Sequence, residues 1–189
     1  MSQENKTSSE SLKSPEEIAE VEALLESSES FAYFKKNGIK PPSQNSWNKV
    51  LFELGPETFV RKQLALLGYA QAKGDANLTR AVQGFDPEAA KQVSEIQEDD
   101  AEEAYKKLIE EKRTLEGETI PEYKSRIKHH EDEFKKDKDL DHQEYIEETE
   151  LKIAVATKRI ALIDKSLDLL EAVHYIPDET QEERFMVRD

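Results

Sequence analysis

The stretch of sequence that decides the fold is residues 146–176, IEETELKIAVATKRIALIDKSLDLLEAVHYI. Mostly apolar side chains recur there in two rows, each with the period of a heptad. The first row is Ile146, Ile153, Ile160 and Leu167, and the second is Thr149, Ala156, Ile163 and Leu170. Alternating steps of three and four residues place both rows on one face of a helix. The pattern therefore predicts a long helix with coiled-coil character, from about Asp141 to His174.

A third apolar row, two positions after the first, widens this face: it consists of Val155, Leu162 and Leu169. At about 100° per residue the three rows span roughly 160°. The seam of a two-stranded coiled coil is narrower, so a face this wide needs two neighbours. We expect the helix either to sit inside a bundle or to contact its own hairpin on one side and a partner, another protein or a second copy, on the other. The predicted partner-binding residues are Ile146, Ile153, Val155, Ile160, Leu162, Ile163, Leu167, Leu169 and Leu170.

Charge divides the chain into two parts. Residues 1–85 contain 11 acidic and 10 basic residues, whereas residues 86–189 contain 31 acidic and 17 basic residues. Within the first part, residues 30–85 hold three acids, eight bases and eight of the fourteen aromatic residues. Opposite charge on two parts of a protein orients its partners. The division therefore predicts two domains that contact different components.

The first part predicts a disordered arm over residues 1–13 and a small basic, aromatic cluster of helices over residues 14–85. Ser14, Pro15 and Glu17 form a capping-box signature that begins the first helix. Later helices end at Gly38, Gly55 and Gly74, and we expect them to pack around Trp47. On the helix after Gly55, the inward side is predicted to be Phe59, Val60, Gln63, Leu64, Leu67 and Ala70.

The second part predicts an acidic helical hairpin or three-helix bundle over residues 86–176, followed by a flexible tail over residues 177–189. One helix is expected from Pro87 to about Leu115, ended by Gly117. A short connection over residues 116–118 would turn the next helix antiparallel to it. The charged run over residues 135–141 leaves open whether residues 120–174 form one helix or two. The predicted fold class is all-α.

Few residues are arranged for chemistry. The chain has no cysteine, and its six glycines form neither a dinucleotide-binding nor a phosphate-binding loop. Glu171 and His174 have the spacing used in di-iron bundles, and Asp139 and His142 are the one other candidate pair, but such pairs arise by chance in an acid-rich chain. Neighbouring acids such as Glu102 and Glu103 are expected on a solvated helix rather than in a dry cleft. We therefore expect no catalytic residues, metal, cofactor or small-molecule substrate.

The first functional hypothesis is a non-catalytic protein that mediates assembly, as an adaptor or a scaffold does. Besides the long helix, its partner-binding residues would be Lys35, Lys36, Arg61, Lys62 and Trp47 in the basic cluster. One alternative is an acidic regulator that binds or mimics nucleic acid, although a pI of about 4.8 makes nucleic acid an unexpected partner. A second alternative is a metal enzyme built on a helical bundle.

The sequence predicts no contact with a membrane. No apolar run approaches the roughly 18 residues of a membrane-spanning helix, and the polar N-terminal residues do not resemble a signal peptide. The lack of cysteine fits a reducing compartment. We expect a cytoplasmic location, and incorporation into a virion stays open as an alternative.

Overall fold

A computed structural model of the protein describes residues 14–186. All regular structure in that range is helical, without strands, which confirms the all-α fold. The arm predicted over residues 1–13 lies outside the described residues. The chain divides into two compact units, unit 1 up to Lys91 and unit 2 from Gln92.

Unit 1 is a cluster of short helices whose ends follow the local sequence signals. The helices are α1 (Pro15–Glu26), α2 (Glu29–Lys36), α3 (Gln44–Leu54), α4 (Pro56–Ala72) and α5 (Ala76–Gly84), and α6 (Pro87–Ser94) follows them. Ser14 and Glu17 form the predicted capping box. Gly38, Gly55 and Gly74 have φ angles of +62°, +85° and +64°. Glycine suits these positions because side chains disfavour a positive φ.

The core of unit 1 is apolar and contains Trp47, which is 2% exposed and packs against Phe31 at 5.8 Å between ring centroids. The inward side predicted for α4 is partly wrong. Val60 and Leu64 are 55% and 53% exposed, and Leu66 is fully buried in their place. The reason is that α4 packs against α1, α3 and α5 on several sides, so its buried face is rotated from the stripe that the spacing indicates.

Unit 2 contains α7 (Ala101–Thr114), a π-helical turn (Leu115–Thr119), α8 (Ile120–Asp137), α9 (Leu140–Val173) and α10 (Asp178–Glu183). The predicted single helix from Pro87 to Leu115 is wrong, because α6 ends at Ser94 and a short 3₁₀ turn (Glu98–Asp100) precedes α7.

The predicted turn at Gly117 is also wrong, since the chain stays helical through it. The backbone N–H of Ile120 donates to the carbonyl of Leu115, five residues back, as in a π-helix. Pro121 explains this local widening, because proline has no N–H to donate and its ring would clash with the carbonyl of Gly117 in a regular α-helix.

The chain reverses between α8 and α9 instead. Lys138 has a left-handed φ of 60°, and the Asp139 side chain accepts a hydrogen bond from the Asp141 N–H to begin α9. Residues 120–174 therefore form two helices. Together, α7, the π turn and α8 make one long arm, and α9 lies along it as the second arm of a hairpin.

Of the flexible tail predicted over residues 177–189, residues 187–189 lie outside the described residues. The part before them contains a helix that the sequence did not predict, α10, in which Thr180 is 4% exposed and donates a 2.9 Å hydrogen bond to Glu102. The sequence signal was weak because the segment is polar and is held mainly by hydrogen bonds and ion pairs.

A glycine-to-alanine comparison tests the continuity of the helix at Gly117. A Cβ at Gly117 meets no atom within 4 Å, so Gly117→Ala should raise the free energy of unfolding by roughly 0.5–1 kcal/mol. The matched variant Gly74→Ala should lower it by roughly 1 kcal/mol, because Gly74 has a positive φ.

Urea unfolding followed by circular dichroism and by the fluorescence of Trp47 measures both effects. The single tryptophan reports on unit 1. A loss of stability in Gly117→Ala similar to that in Gly74→Ala would mean that the chain turns at Gly117.

Candidate interaction site

The C-terminal half of α9 is surrounded by other parts of unit 2. On one flank, Lys112 of α7 forms a 2.8 Å ion pair with Asp164. On another, the segment before α7 approaches through Glu98, which accepts hydrogen bonds from His174 and from the Tyr175 N–H at 2.5 and 3.1 Å. This half of α9 therefore has the several neighbours that its wide apolar face requires.

Burial there changes the role of four residues predicted to bind a partner. Ile163, Leu167 and Leu170 are fully buried, and Leu169 is 4% exposed. They form the core of the chain itself, so the prediction of partner binding is corrected for them. Ile146, Ile153, Ile160 and Leu162 are half-buried, and only Val155 of the predicted set is well exposed.

The N-terminal half of α9 lies against α8 and the π turn and leaves an apolar groove open to solvent. Leu151 and Val155, one turn apart, are 67% and 69% exposed. The groove has a volume of about 440 Å³, and its residues are Leu115, Thr119, Tyr123, Glu148, Leu151, Lys152, Val155, Ala156 and Arg159. Sequence reasoning named Val155 but missed Leu151, although a spacing of four residues placed both on one face.

Charged side chains border this groove as pairs. Glu148 and Lys152 form a 2.8 Å ion pair, and Arg159 binds Glu111 through two nitrogens at 2.6 and 2.8 Å. The hydrogen bonds from Arg159 outweigh the effect of burial and lower the pKa of Glu111. The paired ions leave the apolar floor as the part of the groove available to a ligand.

The residues predicted for the basic cluster of unit 1 do not converge on one site. Trp47 belongs to the core, where its indole N–H has no hydrogen-bond partner, so its predicted contact with a partner is corrected. Lys35 pairs with Glu26, and Lys62 pairs with Glu20 at 3.0 Å. Arg61 donates a 3.4 Å hydrogen bond to the Glu57 carbonyl. Lys36 is exposed.

Arg184 fastens the C-terminal segment to α9. Its side chain is 11% exposed and lies 2.7 Å from Asp168, 3.2 Å from Glu171 and 3.4 Å from Asp164. Burial disfavours its charge, but the hydrogen bond and charge of Asp168, together with the charge of Glu171, outweigh burial and raise its pKa. Fully buried Tyr105 donates to Glu171, and its pKa is raised first by burial and then by that carboxylate.

Two histidines meet near the tip of the hairpin. The Nδ1 atoms of His130 and His142 are 2.8 Å apart, and His142 Nε2 lies 3.2 Å from Asp137. The His130 ring also stacks on Tyr145 at 3.9 Å between centroids. Burial, followed by the charges of His142 and His129, lowers the pKa of His130, although Glu133 opposes the shift. Because one Nδ1 must donate and the other accept, the contact requires a neutral ring.

Residues 14–186 contain no group of three or more histidine, cysteine, aspartate or glutamate side chains placed to hold a metal ion. No helix in the same range is long and apolar enough to cross a membrane. Comparisons with family models, with curated proteins and with solved structures find no match to the chain. The groove on α9 is therefore interpreted from its own geometry.

Replacement of Arg184 tests its role as a fastener. Arg184→Gln should lower the free energy of unfolding by roughly 2–3 kcal/mol, because three neighbouring carboxylates lose their cation. Arg184→Lys should cost less, since it keeps the charge but loses the fork of the guanidinium. Hydrogen exchange of α10, compared with that of α8, measures the local effect. Equal protection of α10 in wild type and Arg184→Gln would contradict this role.

The histidine contact predicts a dependence of stability on pH. The folded state holds the pKa of His130 below its unfolded value of about 6.5. The unfolded state thus binds more protons, and the contribution of this contact is present above about pH 6.5 and is lost as the pH falls toward the folded pKa. His130→Phe keeps a ring against Tyr145 but removes the titration.

Thermal unfolding between about pH 5 and 8 measures this effect, and the slope of stability against pH should be shallower in His130→Phe. Tyr145→Phe is the control, because it keeps both histidines and an aromatic ring against His130. Identical slopes in wild type and His130→Phe would exclude His130 as the titrating group.

Proposed function

We propose that this protein is a non-catalytic assembly protein, of the adaptor or scaffold kind, and that it binds a partner through the groove on α9. The observation that carries the proposal is the exposure of Leu151 and Val155, at 67% and 69%, beside the hairpin contact with α8. The same helix is enclosed on several sides in its C-terminal half. The N-terminal half therefore lacks one of the two neighbours that the width of its apolar face requires.

The form of the groove supports a helical partner. Two large apolar side chains one turn apart offer anchors for an amphipathic helix, and the walls from Leu115 and Tyr123 give it a lateral boundary. Single exposed apolar residues are normal on protein surfaces, but apolar residues grouped in a groove with a polar rim mark an interaction site. In this groove, the ion pair of Glu148 and Lys152 supplies the polar rim.

Unit 1 contributes a second contact surface to this proposal. Arg61 is exposed on α4, and the exposed apolar side chains of Val60 and Leu64 lie on the same helix. A mixed basic and apolar surface suits an acidic protein partner. An intracellular location belongs to the proposal and is based on the absence of cysteine, and a virion is one assembly that would fit.

The acidic residues of α7 do not favour mimicry of nucleic acid. Glu102 pairs with Lys106, and Glu103 pairs with Lys107, each at 2.6 Å. Such pairs, four residues apart, are typical of an exposed helix whose charges are balanced locally. Mimicry of a phosphate backbone needs carboxylates whose charge is left for the partner.

Site-specific photo-crosslinking tests the groove as a binding site. A benzophenone amino acid replaces Val155 in the full chain within the cells that produce it, and Tyr175 is replaced in the same way as a control. Tyr175 is 77% exposed and lies outside the groove. We expect a discrete crosslinked product at position 155 that Leu151→Glu abolishes, because a carboxylate in an apolar contact stays unpaired.

Mass spectrometry identifies the attached chain. The product at position 155, but not at 175, should contain one defined protein, either a second copy or a different chain. Equal labelling at the two positions, or no product at position 155, would contradict the proposal.

A further inference from the structure

We propose that the occupant of the groove is a second copy of this chain, whose α9 lies antiparallel to the first. This inference rests on the proposed function, because it specifies the partner of the same groove. It is argued from the charges that flank Leu151 and Val155 along α9. A twofold axis near the middle of this apolar pair would relate the two copies.

Four residues define the contact face: Leu151 and Val155 of the groove, and Glu147 and Lys158, which lie next to them on α9 outside the groove. At about 100° per residue, Glu147, Leu151, Val155 and Lys158 fall within an arc of roughly 80° on α9. The apolar pair is thus bounded by an acid on its N-terminal side and a base on its C-terminal side. Glu147 and Lys158 form no ion pair with any residue that the structure describes, and Glu147 accepts a 3.3 Å hydrogen bond from Gln143.

The spacing of these charges matches a twofold axis. At 1.5 Å per residue, Glu147 lies about 9 Å before the midpoint of Leu151 and Val155, and Lys158 lies about 7.5 Å after it. In an antiparallel pair, Glu147 of each copy therefore lies beside Lys158 of the other, with an offset of only about 1.5 Å. Leu151 of each copy meets Val155 of the other in the same register.

A parallel pair does not have this complementarity. It would place Glu147 beside Glu147 and Lys158 beside Lys158, and like charges opposed at an interface disfavour association. The antiparallel pair is also isologous, because the same patch serves both copies, and closed twofold dimers are the commonest oligomers. One exposed patch per chain is then sufficient, and no further apolar face is needed.

The net charge of −15 on each copy opposes dimerisation. At an ionic strength of 0.15 M the Debye length is about 8 Å, so charges farther apart than this repel each other weakly. The short ion pairs between Glu147 and Lys158 act within that length. The dimer should therefore form at physiological salt and weaken at low salt, where long-range repulsion increases.

Sedimentation equilibrium of the full chain tests the dimer over loading concentrations from about 1 to 300 μM at 0.15 M salt. We expect a reversible equilibrium between a monomer of 21.7 kDa and its dimer. Val155→Glu should raise the dissociation constant at least about tenfold, because it places a carboxylate in the apolar contact. Ile39→Glu, a matched change at an exposed β-branched residue of unit 1, should leave the constant unchanged.

A charge exchange tests the antiparallel register. Glu147→Lys and Lys158→Glu should each raise the dissociation constant about three- to tenfold, and the double variant should return it close to the wild-type value. In a parallel dimer, each single exchange would replace one pair of like charges by another and leave the dissociation constant near the wild-type value. Single variants that bind as tightly as wild type, or a double variant as weak as the single variants, would overturn the antiparallel arrangement.

The two proposals fail separately. A chain that stays monomeric at every concentration and in every salt overturns the second copy as the occupant. The groove then remains the proposed site if the crosslink at Val155 captures a different protein. A dimer that Val155→Glu does not weaken, with circular dichroism showing an unchanged fold, would overturn the inference by placing self-association on another surface.

Discussion

The packing of α9 along the arm from α7 to α8 is the contact on which unit 2 depends. The chain is poor in apolar residues, and Thr149, Ala156, Ile163 and Leu170 are all buried on the side of α9 that faces this arm. Burial of apolar area is the main favourable contribution to folding. A helix as charged as α8 is stabilised little by its own residues and depends on its packing against α9. The rest of unit 2, including α10, packs on the hairpin that this contact forms.

The π turn is the local adjustment that lets one long arm follow α9. Gly117 and Pro121 both favour an end to the helix when they are considered separately, because one lowers helix propensity and the other removes a hydrogen bond. The helix instead continues through one widened, π-helical turn, since the free energy gained by continued packing against α9 exceeds the cost of widening that turn. The same turn places Leu115 and Thr119 at the side of the groove. A feature imposed by proline thus becomes part of the candidate binding site.

The sequence predicts more of the helices than of their connections. Caps such as Ser14 and the heptad rows of α9 are local signals, and the structure has a helix at each of them. The reversal at Lys138 was not predictable in the same way, because a left-handed lysine carries no strong sequence signal. Arg184 was also missed, since its three carboxylates are near in space but distant or featureless in sequence. The width of the apolar face on α9 predicted the need for two neighbours, but it did not indicate which half already had them.

The acidic surface and the exposed groove have opposite effects on association. An exposed apolar pair such as Leu151 and Val155 would promote indiscriminate association on a neutral protein. A net charge of −15 opposes approach by other acidic surfaces at long range. In the proposed dimer, the second copy offsets this repulsion because it brings a cation close to Glu147 and an acid close to Lys158. That charge pattern would disfavour partners without matching charges, and the apolar contact would hold the matching copy.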